Sequence, residues 1–355
     1  MKVARLILRS FRCYDETLIS LTEGMNLIYG KNGAGKTTFL EALYLLSTGR
    51  SFLTPHLTDC IRKEELHFYI EVHFVRDGVE QLLGIGFDGK DKRIHHNNTQ
   101  FQNFSNVLGI LPSVLYCPKD STLIMGTPQE RRRFLNIQLA QTDPLYVHHL
   151  MRYHKAMKHR NALLKVKSEN SIESWEQMMS ESGRYLMEKR SILIDTLRPK
   201  VEAHAKVLSL GEDHFDLHYE PSISLKKMEQ MEELFRKERP KGLILGNTLI
   251  GPHRDDLHIT YKEKEAKSFA SEGQKRTCIA ALKIAEWEIL KEKTETTPLF
   301  MIDDFGVHLD PKRTELLEEK LNAFGQVLLT SPIPKEGGIF IEELQRTQLV
   351  DVDRT

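Results

Sequence analysis

Gly30-Lys31-Asn32-Gly33-Ala34-Gly35-Lys36-Thr37 satisfies the spacing GxxxxGK[ST] in full, a pattern whose chemistry is phosphate binding. Glycines let backbone N–H groups wrap a phosphate, and a helix opening at Lys36 adds its positive end. In that arrangement Lys36 reaches the β- and γ-phosphates, the Thr37 hydroxyl ligates Mg²⁺, and Thr38 adds a neighbouring phosphate contact. The chemistry to expect is therefore that of ATP with Mg²⁺. A second group lies far downstream: Leu299-Phe300-Met301-Ile302 runs into Asp303-Asp304. Four apolar residues carry two carboxylates to the end of a buried strand, beside the phosphate loop. Asp303 would hold Mg²⁺, through water, and Asp304 would orient or deprotonate an attacking water. One carboxylate suffices for the metal, so the second is the sign of hydrolysis; a turn or capping aspartate is the plainer reading of Asp304.

Ser271-Glu272-Gly273-Gln274 precedes an amphipathic stretch, Lys275 to Lys291. Alone, this is a serine helix cap. Upstream of the double-aspartate strand it matches the signature motif of ABC-type ATPases. A serine hydroxyl at a helix N-terminus is a second receptor for a γ-phosphate. In that architecture Ser271, Gly273 and Gln274 complete the site of a partner copy, which implies an ATP-dependent homodimer. Gly306-Val307-His308-Leu309-Asp310 then occupies the position of the loop between the two sites.

These groups need elements to hold them. Leu6-Ile7-Leu8 and Met25–Tyr29 read as strands, the second leading through the glycine-rich turn into a helix from Lys36 to Thr48. Leu66–Val75 and Glu80–Phe87 alternate apolar and polar residues around Arg76-Asp77-Gly78, a hairpin. From about Gln129 to Leu208 the chain is helical. Leu150, Tyr153, Met157, Asn161 and Leu164 make one packing stripe, and Trp175, Met179, Ser182, Leu186, Leu193 and Leu197 another, with Lys165–Ser171 connecting them as antiparallel helices. Strand character returns at Leu299–Ile302 and Val327–Thr330. The expected fold is α/β: a P-loop ABC-type ATPase core, residues 1–115 and 240–355, interrupted by a helical arm or lid domain, residues 116–239.

Lys+Arg 50 balances Asp+Glu 50, which excludes a globally basic nucleic-acid-coating protein and requires any such contact to be local. No apolar run approaches the roughly 20 residues that span a bilayer, and Met1–Arg9 has no signal-peptide core, so a cytoplasmic protein without a membrane partner is expected. Four scattered cysteines make neither a zinc ribbon nor a disulfide framework. Between Pro144 and Ser168 stand Arg152, Lys155, Lys158, Arg160, Lys165 and Lys167, with no Asp or Glu. This local excess is either a phosphate-backbone patch or a solvated helix face. Arg131, Arg132 and Arg133 form a second cluster, for DNA or for ion pairing. Asp255 and Asp256 make a second metal or base site or, with His253 and Arg254, shape the loop before the signature. His95-His96 and His148-His149 read as surface histidines.

The chain resembles the bacterial RecF DNA-repair ATPases over essentially its whole length. The resemblance is carried by Ser10-Phe11-Arg12, Gly49-Arg50-Ser51-Phe52, Cys117-Pro118, the run Gly126 to Leu135, Arg160–Leu164 and Gly251-Pro252-His253-Arg254-Asp255-Asp256, together with the phosphate loop and signature. It implies ATP-dependent binding of single-stranded, gapped or double-stranded DNA, dimerisation on ATP, slow hydrolysis, and loading of recombinase at gaps and stalled forks with RecR- and RecO-like proteins. It also places Arg12 and Arg50 near the nucleotide. Lys119, Asn136 and Val307 depart from the family pattern. The insertion of about 80 residues is too short for an SMC coiled coil. The competing readings are a transporter ATPase subunit, for which Thr330-Ser331 stands where a switch histidine belongs, and a DNA clamp without significant turnover, against which Asp304 argues. An OLD-like nuclease would need a further acidic metal domain.

Overall fold

Alternating apolar and polar residues in the first hundred positions produce strands, and the glycine-rich turn at 30–35 opens the first helix. The computed structural model describes residues 1–305, 311–332 and 339–340. In chain order the elements are β1 (Lys2–Phe11), β2 (Tyr14–Ser20), β3 (Met25–Tyr29), α1 (Lys36–Thr48), β4 (Phe68–Arg76), β5 (Val79–Phe87), β6 (Lys92–His96), β7 (Thr99–Phe101) and β8 (Ser113–Tyr116). There follow α2 (Thr122–Met125), α3 (Pro128–Thr142), α4 (Pro144–Lys165), α5 (Ile172–Leu208), β9 (Phe215–Glu220), α6 (Met231–Leu245), β10 (Asp256–Tyr261), β11 (Lys264–Glu265) and α7 (Ala266–Phe269). The last are α8 (Glu272–Thr294), β12 (Leu299–Ile302), α9 (Pro311–Leu321), β13 (Val327–Ser331) and β14 (Ile339–Phe340).

The chain divides into two units. The first runs from Met1 to Asp120, takes in Val207–Leu210 and resumes at Ile279; the second comprises Ser121–Lys206 and Gly211–Cys278. The stretch from 240 to 278, with the Ser271 signature, groups with the helical insertion rather than with the core. The reason is packing, since β10 lies against α3 and α6 against α4.

In the first unit a six-stranded antiparallel sheet has the order β2-β1-β4-β5-β6-β7, and a five-stranded parallel sheet the order β14-β3-β13-β12-β8. Helix α1 packs on β4 and β5 of one sheet and on β8 and β13 of the other. It is therefore buried nearly all round, with Phe39, Leu40, Leu43 and Leu46 fully enclosed. Each such side chain contributes about 1.5–3 kcal/mol of transfer free energy, and Phe39→Ala would cost about 3–5 kcal/mol. Gly49 ends the helix at φ 72 and bonds Leu45 O. A Cβ there would stand 2.4 Å from the Phe104 ring, so the C-cap admits only glycine. The β4–β5 hairpin closes through Asp77 (φ 53) and Gly78 (φ 79), between the paired Arg76 and Val79, a two-residue turn of the type that right-twisted strands favour.

The second unit holds the antiparallel helix pair. His149 stacks on Tyr185, Arg152 bonds Glu181, and His159 stacks on Trp175; as one residue number rises the other falls. The seam is rotated from the expected stripe. Tyr153, Ala156, Arg160 and Leu164 are buried, whereas Met157 and Asn161 are only partly covered. A three-stranded antiparallel sheet, β11-β10-β9, completes the unit.

Candidate functional site

The parallel sheet positions the chemistry at the C-terminal ends of its strands. β3 ends at Tyr29, and the chain turns through Gly30 (φ 159), Gly33 (φ 84) and Gly35 (φ 95) into α1. At Gly35 a Cβ would meet Cys13 Sγ at 2.7 Å, so both backbone conformation and space demand glycine. The Tyr14 hydroxyl donates to Gly35 O at 3.0 Å and steadies the turn. The Lys36 ammonium folds back over the loop, donating to Gly30 O at 2.7 Å and Lys31 O at 2.9 Å. Its charge is thus held on the carbonyls of the loop itself, at the cleft that Lys36 lines.

β12 is not the neighbour of β3; β13 lies between them. Even so, the Thr37 hydroxyl donates to Asp303, 2.9 Å from Oδ1 and 3.1 Å from Oδ2. Residues 266 positions apart thus meet as the motif chemistry requires. Thr330, on the intervening β13, donates to Asp303 Oδ1 at 2.8 Å and accepts the Asp304 N–H at 2.9 Å. Burial pushes the Asp303 carboxyl above its ordinary pKa, and the Asp304 charge adds to this, against the pull of the Thr330 and Thr37 hydrogen bonds. A nearby cation would reverse that balance. Asp304 takes φ 55 and lines, with Arg12, Cys13, Asn32, Gly33, Gly35, Lys36, Thr37, Thr38, Asp59 and Ile61, a cleft of about 570 Å³.

This donor set fits a nucleotide with Mg²⁺. Hydroxyl and carboxylate oxygens are hard ligands, and Mg²⁺ is ordinarily held by one or two protein groups plus phosphate oxygens and water. Among the described residues no three His, Cys, Asp or Glu side chains group closely enough to hold a metal ion by themselves.

Arg12 reaches the cleft but is committed to Glu41, with Nε and Nη2 donating at 2.9 and 2.7 Å. That bond raises the guanidinium pKa further. Glu41 is wholly buried and also accepts from Ser51 and Cys60. Arg50 is not among the residues lining the cleft. Lys119, the departure after Pro118, donates to Phe52 O at 3.0 Å. Asn136 accepts from Tyr146 and Arg190.

In the second unit Ser271 and Gln274 form a reciprocal capping box. Gln274 N donates to Ser271 Oγ at 3.3 Å, and Ser271 N donates to Gln274 Oε1 at 2.8 Å. Gln274 also bonds the Tyr261 hydroxyl at 2.7 Å. Ser271 and Gly273 are exposed at the start of α8, an N-terminus suited to an anion. Gly306–Asp310 lie outside the described residues.

The basic candidates divide. Arg160 is a correction: it is 2% exposed, bound to Glu176 at 2.9 and 3.1 Å, to Thr248 at 3.0 Å and to Phe235 O, and no phosphate reaches it. Arg131 is likewise engaged in a bidentate pair with Asp256, both bonds 2.7 Å, which holds that carboxyl below its usual range in spite of burial. Arg132 donates to Asp255 O at 2.6 Å and is half-buried. Arg152 bonds Glu181. Lys155 and Lys158 are exposed. Asp255 is buried against Arg190, Tyr219 and Ser222 N, so Asp255 and Asp256 shape their loop, not a second metal site. His253 Nε2 donates to Thr248 O at 3.1 Å, so in the neutral ring Nδ1 accepts from the Tyr153 hydroxyl at 2.8 Å. His95 is not a plain surface residue either; it stacks on Tyr69 and bonds it at 3.1 Å.

Thr330, Glu41 and Tyr14 went unmarked in the sequence as site residues. Threonine in a strand and glutamate in a helix carry no motif; only the burial of a carboxylate inside an apolar helix, Phe39-Leu40-Glu41-Ala42-Leu43, was a signal.

Phosphate loop, acidic strand end and signature helix define an ATPase head of the ABC/SMC type. The model of the RecF/RecN/SMC N-terminal domain family matches residues 2–335. A protein of Protochlamydia amoebophila named DNA replication and repair protein RecF is 42% identical over 341 residues, covering 94% of this chain and 95% of its own length. The protein of that name in Chlamydia caviae is 37% identical, covering 93% and 92%. The solved structure of the recombination mediator protein RecF with ATP, described in the RecFOR pathway, superimposes with a TM-score of 0.89 at 27% identity, covering 96% of each chain. An Smc head domain from Pyrococcus furiosus, at 15% identity and TM-score 0.54, shares the fold. The chain belongs to the RecF family.

Proposed function

We propose that this protein is an ATP-dependent DNA-binding ATPase of recombinational repair and replication, closing as a dimer around two ATP molecules and opening on slow, DNA-stimulated hydrolysis. The observation that carries the reading is the meeting of Thr37, Lys36 and Asp303 at one end of the parallel sheet. Mg²⁺, when bound, neutralises charge between the phosphates. Around it the chain's own residues divide the work. The loop amides and Lys36 bind phosphate, Thr37 and Asp303 hold the metal, and Asp304 orients water and accepts its proton. Ser271, Gly273 and Gln274 receive the phosphate bound by the partner copy. Lys155 and Lys158, exposed on α4, contact the DNA backbone without reading bases.

RecR- and RecO-like proteins are the expected partners, since the structural neighbour is a RecF protein of the RecFOR pathway, and recombinase loading in the cytoplasm is the expected setting. The full-length similarity to RecF proteins sets the transporter reading aside. The test is ATP turnover with and without DNA, alongside light scattering with ATP. Turnover rising with DNA and an ATP-dependent doubling of mass support the reading. Absence of turnover would favour a clamp that uses ATP only to close. Reversing Lys155 and Lys158 to Glu is expected to weaken DNA binding and flatten its salt dependence by about one unit per lost contact.

A further inference from the structure

We propose that Thr330 is a positioning residue for both acidic side chains, holding Asp303 toward Thr37 and fixing the turn that brings Asp304 to the cleft. The inference rests on the ATP-hydrolysing reading above.

Strand order is the reason. β13 separates β3 from β12, so the gap between the phosphate loop and the aspartates is filled by whatever β13 presents at its C-terminal end. There Thr330 is fully buried and its hydroxyl is used twice. Its proton goes to Asp303 Oδ1 at 2.8 Å, and its oxygen takes the Asp304 N–H at 2.9 Å. The Thr330 carbonyl accepts the Phe305 N–H at 2.8 Å. Three consecutive residues, 303 to 305, are therefore tied to one position on the next strand.

Asp304 needs such a tie. Its φ of 55 is a left-handed conformation that costs any residue but glycine some energy, aspartate less than most, and the bonds from Thr330 help to hold it. Asp304 lines the cleft from that conformation. Thr37 also bonds Asp303, but Thr37 is the hydroxyl that meets the metal. Thr330 is the other donor to Asp303 and is not among the residues lining the cleft.

Valine replaces threonine almost isosterically and removes only the hydroxyl; serine keeps it. Full-length wild type, Thr330→Val and Thr330→Ser are compared by Mg²⁺ titration of fluorescent-ATP binding and by steady-state kinetics. Loss of a hydrogen bond to a charged group predicts about a tenfold or larger rise in half-saturating Mg²⁺ and a comparable fall in kcat for Thr330→Val. The KM for ATP should stay within about threefold, because the phosphate loop is untouched, and Thr330→Ser should recover both values. A threonine that merely packs would be indifferent to the hydroxyl. Wild-type kcat and Mg²⁺ dependence in Thr330→Val, or failure of serine to rescue, overturns the proposal while leaving the ATPase reading intact. If the wild type itself shows no turnover, that reading fails, and the Mg²⁺ titration alone decides whether Thr330 holds Asp303. Should valine prevent folding, Thr330→Ala enters the same comparison.

Discussion

Arg160 separates a surface charge from a buried one, and the two assignments lead to opposite experiments. Its guanidinium makes two bonds to Glu176, one to Thr248 and one to Phe235 O, at 2% exposure. Arg160→Met keeps volume and removes the charge. Glu176 then retains Arg239, through bonds of 2.7 and 3.3 Å, while Thr248 and the Phe235 carbonyl lose a donor. Breaking a buried ion pair costs about 3–5 kcal/mol; with Arg239 still present the lower end, about 3 kcal/mol, is expected. At an m-value of about 2 kcal/mol/M in urea, the unfolding midpoint should fall by about 1.5 M. The chain has 2 tryptophans, and Trp175 lies in the same unit, stacked 4.4 Å from His159. In a Trp287→Phe background its fluorescence reports that unit alone. Lys158→Ala, at an exposed position on the same helix, should change stability by less than about 0.5 kcal/mol and lower the salt slope of DNA binding by about one. An Arg160→Met protein that unfolds at the wild-type urea concentration yet loses DNA affinity would refute this reasoning and return Arg160 to the surface.

Lys36→Ala should abolish ATP binding without unfolding the chain, since its ammonium bonds loop carbonyls; isothermal titration beside a circular-dichroism melt checks both. Asp304→Asn should bind ATP normally, lower turnover by about 10²-fold or more and lengthen the life of the ATP dimer; turnover at the wild-type rate would move the catalytic role elsewhere. Ser271→Arg should still bind ATP but fail to dimerise by light scattering, and loss of the capping box should cost about 1 kcal/mol. Burial lowers the His253 pKa from 6.5 to about 4. The unfolded chain therefore takes up a proton that the folded one refuses. The stability is fully present above pH 6.5 and lost as pH falls toward 4, by up to about 3 kcal/mol. In denaturation curves across that window, His253→Gln should show a shallower loss than the wild type; equal slopes would mean that His253 does not titrate as described.

Local chemistry was legible in the residues themselves. The GxxxxGK[ST] run dictates its own loop, because glycines at φ 84 and φ 95 and a helix from Lys36 to Thr48 follow from side-chain size and backbone freedom over a few positions. The same holds for the Asp77-Gly78 hairpin, the apolar strand before Asp303, and the serine and glutamine spaced to cap α8. What depended on distant partners was decided only by the tertiary structure. Arg160, Arg152, Lys155 and Lys158 share a helix and a charge, and their residue types do not distinguish the one buried on Glu176 or the one paired with Glu181 from the two lysines that face water. The partner that neutralises Arg160 is 16 residues away, and those of Arg131 and Arg190 are 125 and 65 away. Strand order is the plainest case. A run of apolar residues specifies burial but not its neighbours, so the insertion of β13 between β3 and β12, and with it the placing of Thr330 against Asp303 and Asp304, existed only once the sheet had assembled.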